Sequence, residues 1–235
     1  MKQRLLDSIR IARGKEESDL WPHVNDLPGE TPGRWTAKDQ LAHLTAWRVF
    51  AASELDLARA GAPVRDAPRD FDPENARIYH EARDQPAVVI RDAAVKAWDQ
   101  LARSVEASTD EVLAMPRVRR PEEQLWQGIC ITYHHLTEHL VYWHVDRGDE
   151  AAAAEAATWG YELAETMFPG DSQRGIVAYN VGCIYATRGR ADAAIPHLRA
   201  GLQLRPDFTD WARRDPDLDL IRSTPAFQEL VGEEN

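Results

Sequence analysis

The stretch WTAKDQLAHLTAWRVFAASELDLARA, residues 35–60, carries both a start and a stop signal for a long helix. Thr36 can accept a hydrogen bond from the backbone of Asp39, and the Asp39 carboxylate can reach back to Thr36, which is the pattern of a capping box. Alanine, leucine, arginine and glutamate then dominate, and all of them favour helices. Gly61 and Pro63 follow as stop signals. The stretch therefore predicts a helix that begins after Thr36 and ends at Gly61.

Further helices are predicted on both sides of this one. The first covers Lys2 to Val24 and is followed by a turn-rich linker that contains Pro28-Gly29 and Pro32-Gly33. A loop rich in proline and aspartate at residues 62–73 precedes a third helical region. That region should break at Pro86, because a proline disfavours the helical conformation of the residue before it.

The main part of the third region is predicted from Ala87 to Ser108, and the fourth helix follows the linker MPRVRRP. The fourth helix reads EEQLWQGICITYHHLTEHLVYWHVDRG, with Pro121 at its first helical position, and ends near Gly148. Four long helices joined by short loops are what a helical bundle needs. We therefore predict an all-α fold with a four-helix bundle over residues 1–148 and a second domain over 149–235.

The stretch NVGCIYATRGRADAAIPHLRAGLQLRP, residues 180–206, resembles one tetratricopeptide (TPR) repeat. Gly182 is small enough to let two helices approach closely, and Gly189 suits the left-handed end of the first helix. Gly201 departs from the family, which usually has alanine there, and Pro196 is more than a turn into the second helix. A preceding helix at about Ala151–Met167 would belong to a degenerate earlier unit.

One TPR-like unit cannot bury its own apolar face, since such arrays usually need at least three repeats. We therefore expect the segment to pack on the bundle or on a second subunit. The following tail, residues 207–231, is similar to the closing cap of short helical repeats. Its Asp215, Asp217 and Asp219 are interpreted as turn and cap carboxylates, because no glycine or terminal glutamate stands at calcium-loop spacing.

Composition restricts the classes of partner. The formal net charge of −11 disfavours nucleic acid and anionic membrane surfaces. There is no long apolar run that would cross a membrane, and the charged first 20 residues do not resemble a signal peptide. Cys130 and Cys183 are far apart and belong to no C-x-x-C pair, so we expect reduced thiols in the core of a cytoplasmic protein.

Three histidines form the pattern that points to chemistry. His135 and His139 are four residues apart on the fourth predicted helix and therefore project from one face. His43 lies on the second predicted helix. Three imidazoles from two neighbouring helices can bind a metal and leave a position open for water or substrate. The competing interpretation is a polar, hydrogen-bonded network of core histidines.

The pattern W-x-x-K-D-x-L-A-H-L, Trp35 to Leu44, resembles the second helix of the DinB/YfiT-like bundle superfamily, and is closest to its ClbS/DfsB branch. The segment FDPENARIYHEARDQP, residues 71–86, and the pattern T-Y-x-H-x-x-E-H, Thr132 to His139, are similar to later parts of the same branch. The resemblance covers residues 1 to about 147. It implies a histidine triad, carried here by His43, His135 and His139, and a divalent metal such as zinc or nickel.

Neighbouring residues suit a substrate pocket. Gly128, Thr132 and Tyr142 share roughly the face of the two histidines, and Trp126 could stack on a flat substrate; each also has a simple packing role as the alternative. Glu138 is interpreted as a surface residue rather than a partner of a histidine. Asp39 is interpreted as the helix cap. The loop arginines Arg117, Arg119 and Arg120 are interpreted as solvated, the alternative being the mouth of a pocket for an anionic substrate.

Three functions remain open at this point. The first is a metal-dependent enzyme in which the three histidines act catalytically as ligands, activating a thiol or water against a small electrophilic substrate. The second is a ClbS-like detoxification or small-molecule-binding protein that needs no metal. The third is a non-enzymatic protein that docks a partner through its TPR-like tail. A homodimer would also cover the apolar face of that tail.

Overall fold

The structure is a computed structural model that describes residues 1–26, 34–62, 71–117, 123–168 and 173–232. All regular elements within these ranges are helices, so the fold is all-α as predicted. The chain divides by its internal contacts into two compact units, residues 1–136 and 137–235. The division falls inside one continuous helix, Leu125–Asp146. The domain boundary expected at Gly148 stays a prediction, as do the bundle and repeat families.

The described residues of the first unit form five complete helices and the beginning of a sixth. They are α1 (Lys2–Asp19), α2 (Ala37–Arg59), α3 (Asp72–Ala82), α4 (Ala87–Ala107), α5 (Asp110–Leu113) and α6 (Leu125–Asp146). Among the described residues, α2 packs extensively on α4, and α1 also packs on α4. The buried positions of α4 include Ile90, Ala94, Ala97 and Leu101, which recur at helical spacing and form one apolar face.

The predicted start of α2 is confirmed. Thr36 Oγ1 accepts from the Asp39 backbone, and the Asp39 carboxylate accepts from the Thr36 backbone, so both halves of the capping box are present. The helix ends at Arg59, and Gly61 follows with a φ of +63°. This backbone conformation costs glycine little, because it has no Cβ. The cap interpretation of Asp39 is therefore correct.

Other boundaries differ from the predictions in detail. The first helix ends at Asp19 rather than Val24, and a short 3-10 turn, Trp21–His23, follows it. Pro22 explains the early end, because proline restricts the residue before it and has no N–H to donate. The break at Pro86 is confirmed, with α4 beginning at the next residue. The four-residue α5, capped by Thr109, was not predicted.

The last helix of the predicted bundle is described from Leu125 onward. Several sequence predictions fall outside the described residues: the linkers at Pro28-Gly29 and Pro32-Gly33, the stop at Pro63, most of the 62–73 loop, and Pro121. The short bridge between Pro116 and Gln124, together with the bond from the Leu125 backbone N–H to the Met115 carbonyl, brings the chain into α6.

The second unit contains the end of α6 and the helices α7 (Glu150–Met167), α8 (Gln173–Ala186), α9 (Ala191–Leu204), α10 (Thr209–Ala212) and α11 (Pro225–Val231). Within the described residues, α8 packs extensively on α9. Gly182 has the predicted role, since a Cβ there would lie 2.6 Å from Leu198 Cγ. Gly189 has a φ of +66° and ends the turn after α8, again as predicted.

The tail closes over α8 through buried polar contacts. Tyr179 donates its hydroxyl to Asp215 Oδ2 at 2.7 Å, and Asp215 Oδ1 accepts from the Asp217 backbone. Asp219 pairs with Arg222. The interpretation of Asp215 as a turn carboxylate is confirmed, and its second oxygen also holds the cap to the helix pair.

The described helices include none with the length and apolar character that a membrane span requires. Cys130 and Cys183 are both buried, and neither forms a disulfide, in agreement with the expected reduced core thiols. Burial is the main reason that the pKa of the Cys183 thiol is raised, and the nearby Asp215 carboxylate raises it further. Cys183 therefore remains protonated and unreactive at neutral pH.

Candidate metal centre

The three predicted histidines come together. One ligand nitrogen from each of His43, His135 and His139 lies within 4.8 Å of the other two. His43 stands on α2, whereas His135 and His139 are one turn apart on α6. His43 is buried, while the other two are half-buried, so the α6 histidines are more accessible to solvent than His43. The histidines thus lie close enough to hold a metal ion.

The best-defined distance of the group suits a shared ligand. His43 Nε2 and His135 Nε2 are 3.1 Å apart. Two nitrogens bound to one tetrahedral zinc, each at about 2.0–2.1 Å, would be separated by about 3.3 Å. The same distance suits a direct hydrogen bond in which one neutral imidazole donates and the other accepts. The geometry is therefore compatible with metal ligation and with a metal-free histidine pair.

Burial prepares His43 for a ligand role. Desolvation disfavours the charged imidazolium and lowers the pKa of His43 to about 4. The ring is therefore neutral at pH 7, and no proton has to leave before its nitrogen binds a metal. A donor set of three imidazoles is also one that zinc and nickel accept. The residues present fit a divalent metal of this kind.

An aromatic wall surrounds His43. The ring of Trp35 lies 5.0 Å from the His43 ring and stacks on Tyr79 of α3 at 6.0 Å. Trp47 also meets His43 edge-on at 6.3 Å, and its indole N–H donates to Asn75 Oδ1 at 3.1 Å. The segment 71–86 therefore contributes to the site by orienting the two tryptophans that flank His43.

No family model, curated protein or solved structure matches this chain. The likeness to the DinB-type bundles accordingly rests on the residue patterns of α2, α3 and α6 alone. The convergence of the three histidines is an independent observation, because it comes from the packing of α2 and α6 and not from those patterns.

A buried charged cluster lies next to the histidines and was missed by the sequence analysis. Arg48 donates to Glu16 Oε2, Trp98 Nε1 donates to Glu16 Oε1 at 2.7 Å, and the Arg48 guanidinium lies 3.5 Å from the centroid of the Trp98 ring. The side chains of Arg48 and Glu16 are 2% and 0% exposed. The cluster connects α1, α2 and α4. The one feature of the sequence that could have predicted this cluster is the position of Arg48, which follows Trp47 on a mostly apolar helix.

A small cavity opens between this cluster and the histidines. It has a volume of about 10 Å³ and is lined by Leu44, Trp47, Arg48, Thr132 and His135. A volume of this size holds about one water molecule. Of the predicted pocket residues, Thr132 is the one that lines it.

The other predicted pocket residues have different neighbours. A Cβ on Gly128 would lie 3.3 Å from the guanidinium carbon of Arg117. Trp126 donates its indole N–H to Gln124 Oε1. The ring of Tyr142 lies 4.3 Å from the Arg188 guanidinium. Their assignment to a substrate pocket stays a prediction.

Glu138 and the loop arginines have partners that the sequence did not reveal. Glu138 accepts a hydrogen bond from Asn180 Nδ2 at 2.6 Å, within the second unit.

Arg117 is not a solvated loop residue: it pairs with Glu54 and Glu123 at 3.0 Å each. The two carboxylates neutralise the positive charge of Arg117, which in the alternative interpretation would attract an anionic substrate. Arg119 and Arg120 lie outside the described residues.

His197 has a defined environment as well, in the second unit. Its Nδ1 is 2.6 Å from the Tyr161 hydroxyl, and its ring stacks on Tyr185 at 5.6 Å with an angle of 4°. Burial lowers the pKa of His197. The sequence had suggested no partner for this residue, because the three contributing helices are brought together only by packing.

Proposed function

We propose that this protein is a metal-dependent enzyme of the DinB-like type, in which His43, His135 and His139 hold a divalent metal, zinc or nickel. The observation that carries the proposal is the convergence of three imidazole nitrogens within 4.8 Å. Three ligands are characteristic of catalytic rather than structural zinc sites, since they leave a coordination position for water or substrate. When bound, the metal supplies Lewis acidity for activating a thiol or water towards a small electrophilic substrate.

The side chains around the triad have distinct tasks in this proposal. His43, neutral because it is buried, presents Nε2 towards His135 without loss of a proton. Trp35 and Trp47 cover the α2 side of the group and limit the access of bulk water. Exclusion of water strengthens every electrostatic interaction within such a site. The partial exposure of His135 and His139 leaves a route by which a small substrate can enter.

The test is the metal content of protein purified without chelator and without an affinity tag. We expect about one metal ion per chain in the wild type and none in the His135→Ala/His139→Ala double variant. The matched control is His134→Ala/His144→Ala, which removes two histidines from the same helix but leaves the triad intact. It should keep the metal.

Uptake of zinc and nickel by chelator-treated protein provides the second measurement. If the wild type takes up neither metal, the proposal is wrong. The 3.1 Å contact between His43 and His135 would then be a hydrogen bond between metal-free imidazoles. That result would favour the alternative, a ClbS-like small-molecule-binding or detoxification protein.

A further inference from the structure

Two side chains beside the triad hold hydrogen-bonding atoms that the protein does not satisfy. Arg48 and Thr132 are 3% and 5% exposed, and both line the small cavity next to His135. Nε and Nη1 of Arg48 and Oγ1 of Thr132 have no hydrogen-bond partner. Buried polar atoms are almost always paired in folded proteins, so unpaired atoms from two helices at one cavity call for an explanation.

The structural role of Arg48 does not account for these atoms. Its ion pair with Glu16 uses Nη2, and the Trp98 ring covers one face of the guanidinium. The remaining N–H groups lie in the guanidinium plane and can only donate. The partner that they lack must therefore be an acceptor. The Thr132 hydroxyl can donate to the same acceptor.

The cavity sets the size of that acceptor. Its volume of about 10 Å³ admits one oxygen atom, and His135 of the triad is part of its wall. We propose that Arg48 and Thr132 form a subsite for one carboxylate oxygen of the substrate. The substrate class is thus a small carboxylate whose reactive group lies at the histidine triad, and this inference rests on the proposed function.

The charges of the region agree with an anionic ligand. Glu16 already balances Arg48, so a divalent ion at the triad would leave the site positive. A carboxylate at the cavity would offset that charge, and a hydrogen bond between an ionised pair is stronger than a neutral one. A cationic or purely donating group would meet only donors at Arg48.

The test uses the full-length protein and formate, the smallest carboxylate, at constant pH and ionic strength with chloride as the reference anion. Binding is followed through the indole N–H resonance of Trp47, which lines the cavity, and through the melting temperature. We expect a saturable response to formate in the zinc-loaded wild type. Thr132→Val, which keeps the shape and removes the hydroxyl, should weaken formate binding at least tenfold.

The matched control is Thr45→Val. Thr45 is also a buried threonine whose hydroxyl has no partner, but it does not line the cavity. It should bind formate as the wild type does. Arg48→Lys retains a positive charge for Glu16 but loses the planar donors of the guanidinium. It should therefore weaken formate binding as much as Thr132→Val does. Thr132→Val should melt no lower than the wild type, because no protein hydrogen bond is lost.

Metal content of the same samples separates this inference from the proposed function. If zinc binds and formate binds equally well to the wild type and to Thr132→Val, the subsite is wrong while the metal centre stands. Formate held by the zinc alone would give that pattern, and an absent formate response would mean that the cavity holds only a structural water. If no zinc binds, the chelator-treated protein is titrated instead. A formate response of the metal-free wild type that is lost in Thr132→Val supports the subsite. If the metal-free wild type shows no formate response, the subsite is wrong.

Discussion

His43 shows how the environment of one residue couples the candidate site to stability. The ring is 5% exposed, and burial lowers its pKa from 6.5 to about 4. Between these two pH values the unfolded chain protonates this histidine and the folded chain does not. The unfolded state then binds more protons, so acidification lowers the free energy of unfolding.

We therefore predict that metal-free wild type loses about 2 kcal/mol more stability between pH 7 and pH 5 than His43→Gln does. Urea unfolding in the presence of chelator at both pH values measures the difference. His80→Gln, which removes an exposed histidine of α3, serves as the control and should retain the pH dependence of the wild type. An equal pH dependence in wild type and His43→Gln would show that His43 is not buried in its neutral form.

Thr132 and Arg48 show how far the role of a single residue can be predicted from the sequence. Thr132 was predicted as a pocket residue because it shares a helix face with His135. The one signal for Arg48 is its position after Trp47, and an arginine near the middle of α2 is otherwise interpreted as a surface residue. Its enclosure by Glu16 and Trp98 is visible only in the folded chain. Burial of a charged side chain depends on partners from other helices, which a single stretch of sequence does not contain.

The pairing of α8 with α9 explains why residue 201 is a glycine. An alanine Cβ at this position would lie 2.8 Å from the backbone nitrogen of Tyr179 and 3.0 Å from its Cα. Real Cβ atoms do not approach backbone atoms so closely, so one helix would have to move. Glycine is therefore required by the close approach of the two helices, although it disfavours helix formation relative to alanine.

We predict that Gly201→Ala lowers the free energy of unfolding, even though alanine is the better helix former by about 1 kcal/mol. The matched control is Gly14→Ala in α1, where no atom lies within 4 Å of the added Cβ. That variant should be stabilised by up to about 1 kcal/mol. Thermal and urea unfolding of both variants measures the change in the free energy of unfolding that each substitution causes. A stabilised Gly201→Ala would mean that the two helices are further apart than described.

Among the elements, helix starts with a local chemical signal were predicted well. The capping box at Thr36 and the break at Pro86 both depend on residues within four positions of the boundary. The predicted end of α1 at Val24 is too late, although Pro22 is a local signal for an earlier end. The short α5 has no periodic pattern, because four residues are too few to show one, and only its Thr109 cap marks it.

At the scale of the whole chain, α6 carries the division between the two compact units. Residues 1–148 contain all three histidines and the whole of α6, whereas residues 1–136 end inside that helix and lack His139. We predict that fragment 1–148 folds and binds about one zinc per chain, as the full chain should, and that fragment 1–136 binds none. Circular dichroism and zinc titration of the two fragments measure this.

An unfolded 1–148 fragment would show that the boundary predicted at Gly148 is wrong and that the second unit is needed for folding. Zinc binding by fragment 1–136 would remove His139 from the site. The homodimer and the protein partner of the TPR-like tail stay predictions, as does the cytoplasmic location.

The all-α class and the bounds of most long helices follow from local patterns: caps, prolines, glycines and the spacing of apolar residues. The candidate triad was also accessible, because two of its members are one turn apart and the third lies in a recognisable pattern. Four features could not be predicted from the sequence: the distance from His43 to His135, the low pKa of His43, the enclosure of Arg48 and the cavity beside Thr132. Each of these depends on which faces of distant helices meet and on how completely they exclude water, and those are properties of packing between segments far apart in the chain.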